Sequence, residues 1–512
     1  MKLNTKRTIL VGFAFFLICT FWQAYDSIIP LILTNKFGMS QTWSGVVMAI
    51  DNVLALFMLP LFGTLSDKCK SKHGRRTPFI VAGTIVAVAA FISLSLVDGA
   101  QLKNISEISK IDDPVALQTI YDNQAEVTLQ TPEGESFVLK DTFSKEEFVN
   151  IRLQLSDGTT NPEYTNYVVP ARQACAAQIT ANNPSTLILF ITLLLVALIS
   201  MATFRSPAVA LMPDVTIKPL RSKANAIINL MGTFGGILVL VLGIVFSTGS
   251  AKNAMMNYLG FFGIVGGIML AALIAFIATV REPKWAAEMQ EESIRLGIEE
   301  AQTDTSEKKG LGKAEKKSLI FLLLSIVLWF FGYNAITSKY SVYAANVLDK
   351  DYNTTLLLAQ AAAVISYIPV GQVASKVGRK KTIMAGVLML AIAFGGASMI
   401  RSNSPLWLMN ILFCLAGVAW ASINVNSFPM VVEMCSGSDV GKYTGFYYTA
   451  SMAAQTLTPM VSGFLMDQMG MTILFPYGTV FVALAFVTMS LVRHGDSKVE
   501  AKKGLEAFDN DD

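Results

Sequence analysis

The sequence predicts an all-α polytopic membrane protein: twelve transmembrane helices in two six-helix pseudo-repeats, with a small α+β extracytoplasmic insertion between helices 3 and 4. Three observations predict it. Of 512 residues, 53% are hydrophobic and only 15% charged, where a soluble domain carries about a quarter charged. Twelve apolar runs of at least 18 residues recur along the chain, each long enough to cross ~30 Å of hydrocarbon as a helix. A charged turn found after the second run returns after the eighth, which marks a duplication.

The runs lie at roughly 8–33, 42–65, 77–97, 185–212, 222–247 and 255–280, then at 317–345, 355–375, 382–400, 405–432, 441–466 and 472–492. Backbone groups in lipid must be satisfied within the segment, so each run is a helix. The first is too long for a removable leader and lacks a small-residue cleavage site. With the N-terminus inside, 28 of the 40 Lys and Arg fall on the inner side and 10 outside. That asymmetry places both termini in the cytoplasm, and the expected location is the cell (plasma) membrane. The pI of 8.4 expresses the same bias and does not call for a nucleic-acid partner. Five cysteines (19, 69, 175, 414, 435) show no paired spacing, and the two histidines lie in inner segments. Neither a metal site nor a cofactor is expected on that inventory, and an intramembrane enzyme lacks its usual nucleophile and histidine.

The charged turn, hereafter the knot, reads Gly63-Thr-Leu-Ser-Asp67-Lys-Cys-Lys-Ser-Lys-His-Gly74-Arg75-Arg76. Its shorter copy is Gly371-x-x-x-Ser375-Lys376-Val-Gly378-Arg379-Lys-Lys381. Tyr25-Asp26 in run one corresponds to Tyr333-Asn334 in run seven, and Asp214…Lys223 corresponds to Glu433…Lys442. The spacing between copies closes only if 98–183 is an insertion in the first half. The glycines permit a tight helix-to-helix turn. The cations hold the loop inside and can pair with Asp67, Asp214 or Glu433, so Asp67, Arg75, Arg76, Asp214, Arg379 and Glu433 are expected to gate the inner side. The carboxylate of Asp67 is expected to meet either a helix start or an arginine across the seam between the halves.

The resulting organisation is 1–97 with 184–280 as the N-terminal half, 98–183 as the outer insertion and 281–316 as a cytoplasmic linker. Residues 317–493 form the C-terminal half and 494–512 a polar tail. The insertion carries 13 acidic and 6 basic residues and no run long enough to span. Within it, Glu126–Lys140 reads as a hairpin of two alternating strands around Pro-Glu-Gly.

Two six-helix repeats with Gly-x-x-x-Asp-(Arg/Lys)…Gly-Arg-(Arg/Lys) after spans two and eight resemble the major facilitator superfamily. The long first copy, Ser66-Asp67-Lys68-Cys69 through Pro78-Phe79-Ile80, looks like the signature of the sucrose/proton symporters. These are allied to the glycoside–pentoside–hexuronide:cation symporters. Arg205-Ser-Pro207 through Asp214 and Arg221-Ser-Lys-Ala-Asn225 form a second match. The resemblance implies a secondary transporter working by alternating access, in which spans one, four, seven and ten line the cavity. It implies cation-coupled symport of a glycoside such as sucrose or maltose, with H⁺ the first and Na⁺ the second coupling ion. A drug or metabolite proton antiporter of the same fold, or a non-transporting sensor, is the alternative. The expected partners are a small-molecule sugar, H⁺ or Na⁺ and the bilayer, with the protein a monomer. Coupling residues of those relatives do not carry over: Leu198 stands near the plant carriers' span-four aspartate, and Val209 replaces their arginine. Ala55 and Leu59 stand where the melibiose-type carriers have carboxylates.

The coupling site is therefore sought among this chain's own intramembrane charges, which cost ~2.5–3.5 kcal/mol each on insertion scales. Asp26 and Asp51 are the expected cation-coupling acids, in the outer half of the bilayer. Arg205, in the inner half, is an expected substrate group, while Lys339 lies near enough to the outer end to snorkel. Sugar recognition needs amides and hydroxyls in a mostly apolar pocket. Trp22, Gln23, Tyr25, Tyr333, Asn334, Asn424, Asn426 and Gln455 are expected to supply it, with Trp420, Gln360 and Tyr367 nearby.

Overall fold

The computed structural model describes residues 3–217, 220–296, 312–432, 434 and 440–494. Its backbone is built from twelve long helices, called spans one to twelve. In the first half they are Thr5–Leu31, Gln41–Asp67, Thr77–Asn104, Ser185–Val215, Arg221–Val245 and Leu259–Thr279. In the second they are Lys313–Tyr343, Tyr352–Val377, Arg379–Ala397, Leu406–Val432, Val440–Met469 and Leu474–Ser490. Eleven are long and apolar enough to cross a membrane. Span eleven is the exception, diluted by Gly, Thr, Ser and Asp467.

Helix starts follow local chemistry. Asn4, Ser40 and Asp351 each accept a hydrogen bond from the first turn of the span that follows, satisfying a backbone donor that would otherwise lack a partner. The duplication is visible in packing. Span one lies on five and six, three on four and six, and two on four; seven lies on eleven and twelve, nine on ten and twelve, and eight on ten. Even the π-helical turn Ile32–Lys36 that prolongs span one has its counterpart, Ala344–Leu348, after span seven.

The halves meet where span two packs on eleven, five on eight and one on seven. The insertion ends of these helices carry several bonds between the halves. Asn346 Nδ2 donates to Asn35 Oδ1 at 2.7 Å, and Asn353 Nδ2 donates to Thr248 Oγ1 at 3.0 Å. Asp467 accepts from the backbone N–H groups of Gln41 and Thr42 at 2.8 and 2.7 Å. Gly45 lies so close to the carbonyl of Pro459 that a Cβ would come well under 3.0 Å from it, and Gly463 sits equally close to the carbonyl of Gln41. The halves are thus held together at the insertion end. Among the described residues, Gly371 and Gly445 toward the knot end have no neighbouring atom within 4 Å of where a Cβ would stand.

The segment between spans three and four folds as a small α+β unit. Strands β1 (Thr128–Gln130) and β2 (Ser136–Val138) pair antiparallel with Leu129 opposite Phe137. Gly134 turns the hairpin at φ +91°, in the left-handed region that glycine enters freely. Helices Pro114–Gln124 and Val169–Asn182 cover a private core that includes Leu117, Ile120, Phe148 and Tyr164. The unit touches both halves. Thr160 Oγ1 donates to Asp349 of the second half at 3.0 Å, Thr472 N donates to Pro132 O at 3.0 Å, and Gln173 donates to Asn35 of the first half at 2.9 Å. Of the linker, Glu282–Arg295 is helical; the tail beyond His494 lies outside the described residues.

Span three runs seven residues past its expected end, because a buried ion pair continues it. Lys36 Nζ donates to both carboxylate oxygens of Asp98 and to Met256 O, all at 2.7 Å, and lies 4.5 Å from the Tyr258 ring centroid. Both side chains are fully buried. Lys36 reads in sequence as an outer-loop cation and Asp98 as part of the insertion; the fold instead joins them inside the first half. Removing one partner of a buried pair leaves an uncompensated charge, at ~3–5 kcal/mol. Asp98→Ala should therefore lower the melting temperature of the solubilised protein far more than Lys36→Met with Asp98→Leu together. Equal effects would show that the pair contributes little.

Candidate functional site: a central cavity with a charged wall

Between the halves lies a cavity of about 450 Å³, lined among others by Trp22, Gln23, Asp26, Tyr333, Gln360 and Trp420. It extends toward the knot end, from Gln23 to Phe15 along span one and from Gln360 to Tyr367 along span eight. Gln360 Nε2 donates to Gln23 Oε1 across the seam at 2.6 Å, and Gln23 Nε2 donates to Ser27 Oγ at 3.1 Å. Tyr333 and Trp420 stack face to face, with centroids 3.6 Å apart and planes within 5°. The stack, which Phe330 meets at Trp420 with centroids 5.4 Å apart, places flat apolar aromatic surface at the cavity wall.

A second cavity of about 240 Å³ adjoins it, sharing Trp22, Asp26 and Thr337. Its wall holds Asp51, Arg205, Asn334, Ser338 and Gln455. The two acids and the arginine, read in sequence as belonging to opposite halves of the bilayer, line one space. Helix crossing and the reach of the arginine side chain bring them there. They do not collapse onto each other: among the described residues Arg205 forms no ion pair, and its guanidinium carbon lies 5.8 Å from the Trp22 ring centroid. Asp51 accepts a hydrogen bond from Asn52 Nδ2 at 2.9 Å. Among the described residues, the buried donors Asn334 Nδ2 and Trp22 Nε1 have no acceptor, which a polar ligand can supply.

Three expected ligand residues stand elsewhere. Tyr25 is fully buried in the core of the first half, stacked on Phe21 at 6.1 Å, and lines neither cavity. It follows Trp22 by three residues, but Trp22 and Asp26 already take the cavity-facing stripe of span one. Asn426 is buried and donates to Ser422 O in its own helix at 2.9 Å. Asn424, one turn beyond Trp420 toward the knot, lines neither cavity. Conversely, Asn229 and Thr233, one helical turn apart on span five, face the larger cavity. Attention to spans one, four, seven and ten alone passes over them; their i, i+4 polar spacing in an apolar run is the available signal.

The knot is organised around Asp214. It accepts from Arg75 Nε at 3.0 Å and from Arg76 Nε at 2.8 Å, and the Arg75 guanidinium is held above its ordinary pKa mainly by that bond. Arg76 also donates to Asp67 at 2.5 Å and to the Ser66 hydroxyl. Glu282, unremarked in sequence, accepts from the N–H groups of Arg75, Arg76 and Thr77 at 2.8–2.9 Å and so caps span three. Gly74, at φ +108°, leaves room for that carboxylate, and Gly378 holds the same left-handed conformation at φ +97° in the second copy. These ion pairs lie within the first half and its linker, so the partner of Asp67 in this conformation is Arg76 and not a residue across the seam. Arg379 opens span nine, and Glu433 lies outside the described residues. Asp214 is 13% exposed and Asp67 56%, and charge-assisted bonds weaken with exposure. Asp214→Asn should destabilise the knot end by ~1.5–3 kcal/mol in denaturation of the solubilised protein, and Asp67→Asn by clearly less. Equal losses would refute this ranking.

Twelve long helices in two pseudo-symmetric halves around a central cavity are the arrangement of membrane transporters built from repeats. Residues 171–366 and 352–508 match the Major Facilitator Superfamily, and residues 11–99 match the family described as MFS/sugar transport protein. The chain belongs to the Major Facilitator Superfamily. It is 43% identical over 66 residues to a sucrose transport protein of Arabidopsis thaliana, 13% of this chain and 12% of that one. It is 36% identical over 67 residues to the human proton-associated sugar transporter A, 13% and 8%. These stretches span about a tenth of the curated relatives. The fold is similar to the inward-open xylose transporter XylE of E. coli (TM-score 0.56, 15% identity, 97% and 98% covered). It is also similar to a peptide transporter in complex with alafosfalin (0.57, 11%, 95% and 93%).

Proposed function

We propose that this protein moves a glycoside such as sucrose or maltose across the cell membrane by cation symport, with H⁺ the first and Na⁺ the second coupling ion. The observation that carries the reading is the joined cavity. It offers a stacked aromatic pair and several amides, beside a wall where Asp26, Asp51 and Arg205 lie together without an ion pair among the described residues. The amides and hydroxyls suit a polyhydroxylated ligand, and the carboxylates suit a proton or a small cation. The named functions of the sucrose and proton-associated sugar transporters support the same substrate class.

In this reading the knot and both termini face the cytoplasm, the insertion lies outside, and the structure is inward-open. The insertion caps the outer end and seats on both halves when they close there. Asp26 and Asp51 exchange the coupling cation, while Arg205, Asn334 and Gln455 with Trp22 and Gln23 hold the sugar. Counterflow of labelled sucrose and maltose in proteoliposomes tests the proposal. Trans-acceleration by either sugar is expected. Absence of both, with exchange of a lipophilic cation instead, would favour the antiporter reading.

A further inference from the structure

Two charges of the second half converge on the first turn of span two, and none of the site described above uses them. Asp467, on span eleven, accepts from Gln41 N, Thr42 N and the Thr42 hydroxyl at 2.8, 2.7 and 2.5 Å. It is therefore the cap of a helix that belongs to the other half, with its negative charge at the positive end of that helix. Lys339, on span seven, donates to Gln41 O at 2.7 Å. Its side chain is fully buried, and among the described residues it forms no ion pair. It does not reach the outer surface, as its position in the sequence suggests.

The two contacts differ in kind. A partly exposed carboxylate that receives three donors is favourably placed only while span two stays beside span eleven. A buried ammonium whose hydrogen bond is to a neutral carbonyl, with the Asp467 charge near it but not in ion-pair contact, has lost hydration that these contacts replace only in part. Separation of spans two and eleven would return water to Lys339 and take the donors away from Asp467. We propose that Asp467 and Lys339 are the gate residues at the insertion end and act in opposite directions: Asp467 clamps the halves shut, and Lys339 drives them apart. Such opposition keeps the closed and open forms near in free energy, which a carrier that must visit both requires.

The inference rests on alternating access between the halves and not on the identity of the substrate, so it is tested without substrate. Trp43, on span two, and Met469, on span eleven, are exposed at the insertion end on opposite sides of the seam. Spin labels at Trp43→Cys and Met469→Cys, in a background free of native cysteines, report the separation in nanodiscs by pulsed dipolar spectroscopy. Asp467→Asn should raise the long-distance population about tenfold, the size expected for one lost charge-assisted contact. Lys339→Met, added to Asp467→Asn, should reduce that population again. If Asp467→Asn fails to fold, Thr42→Val removes one donor and should lengthen the distance more modestly. If Lys339→Met fails, Lys339→Gln removes the charge but keeps a donor and should close the gate likewise. An unchanged distribution in the Asp467 and Thr42 variants, or a Lys339 variant that opens the gate further, overturns the proposal. Failure of sugar counterflow with these distance changes intact would touch only the substrate reading.

Discussion

Gly45→Trp is expected to hold the protein open at its insertion end and abolish net transport while leaving insertion in the membrane intact. Gly45 presents its missing Cβ to the carbonyl of Pro459, at a distance no real Cβ occupies. The obstacle is helix backbone on both sides, which cannot swing away as a flexible side chain would. Overpacking costs ~1–3 kcal/mol where neighbours can adjust, and a rigid clash exceeds that range. A shift of ~3 kcal/mol already changes a two-state population by about a hundredfold. The same residue meets no obstacle once spans two and eleven separate, so the open form pays no comparable penalty. Gly45→Ala, with a smaller side chain but the same Cβ, should show a weaker form of the effect. Spin-label distances across the insertion end and counterflow in proteoliposomes measure both consequences. A Gly45→Trp protein that transports at the normal rate would mean that the halves do not close through this contact.

Asp51→Asn and Asp26→Asn are expected to uncouple the carrier. If these acids exchange the coupling cation, their amides cannot, and sugar should equilibrate without accumulating. At ~100 mV one symported charge is worth ~2.3 kcal/mol, about fiftyfold in concentration, so the loss is large against background. Counterflow exchanges sugar for sugar with no net cation movement and should be spared. Undiminished pH- or Na⁺-driven accumulation in both variants would remove these residues from the coupling step.

The sequence by itself determined the helices and their grouping into two halves. The reason is local: a bilayer-spanning segment must satisfy its own backbone, so length and hydropathy suffice for eleven spans, and span eleven follows from the repeat. Repeat spacing located the knot, and the residue types in it anticipated that Arg75 and Arg76 would meet Asp214 and Asp67. The hairpin in the insertion was legible because Pro-Glu-Gly and alternating apolar residues encode a turn between strands.

Only the tertiary structure decided which charges meet. Lys36 and Asp98 are 62 residues apart, and Lys339 and Gln41 298; nothing in the hydropathy of either segment records its partner. Helical phase alone left Tyr25 and Asn426 as candidates, because a face can be assigned to core, cavity or lipid only once its neighbours are placed. The depth of Asp26, Asp51 and Arg205, counted along separate helices, put them apart, whereas helix crossing and side-chain reach set them around one cavity. The close approach at the insertion end was likewise invisible in sequence, because it is the rigid-body placement of the halves that sets Gly45 against the Pro459 carbonyl and Gly463 against the Gln41 carbonyl.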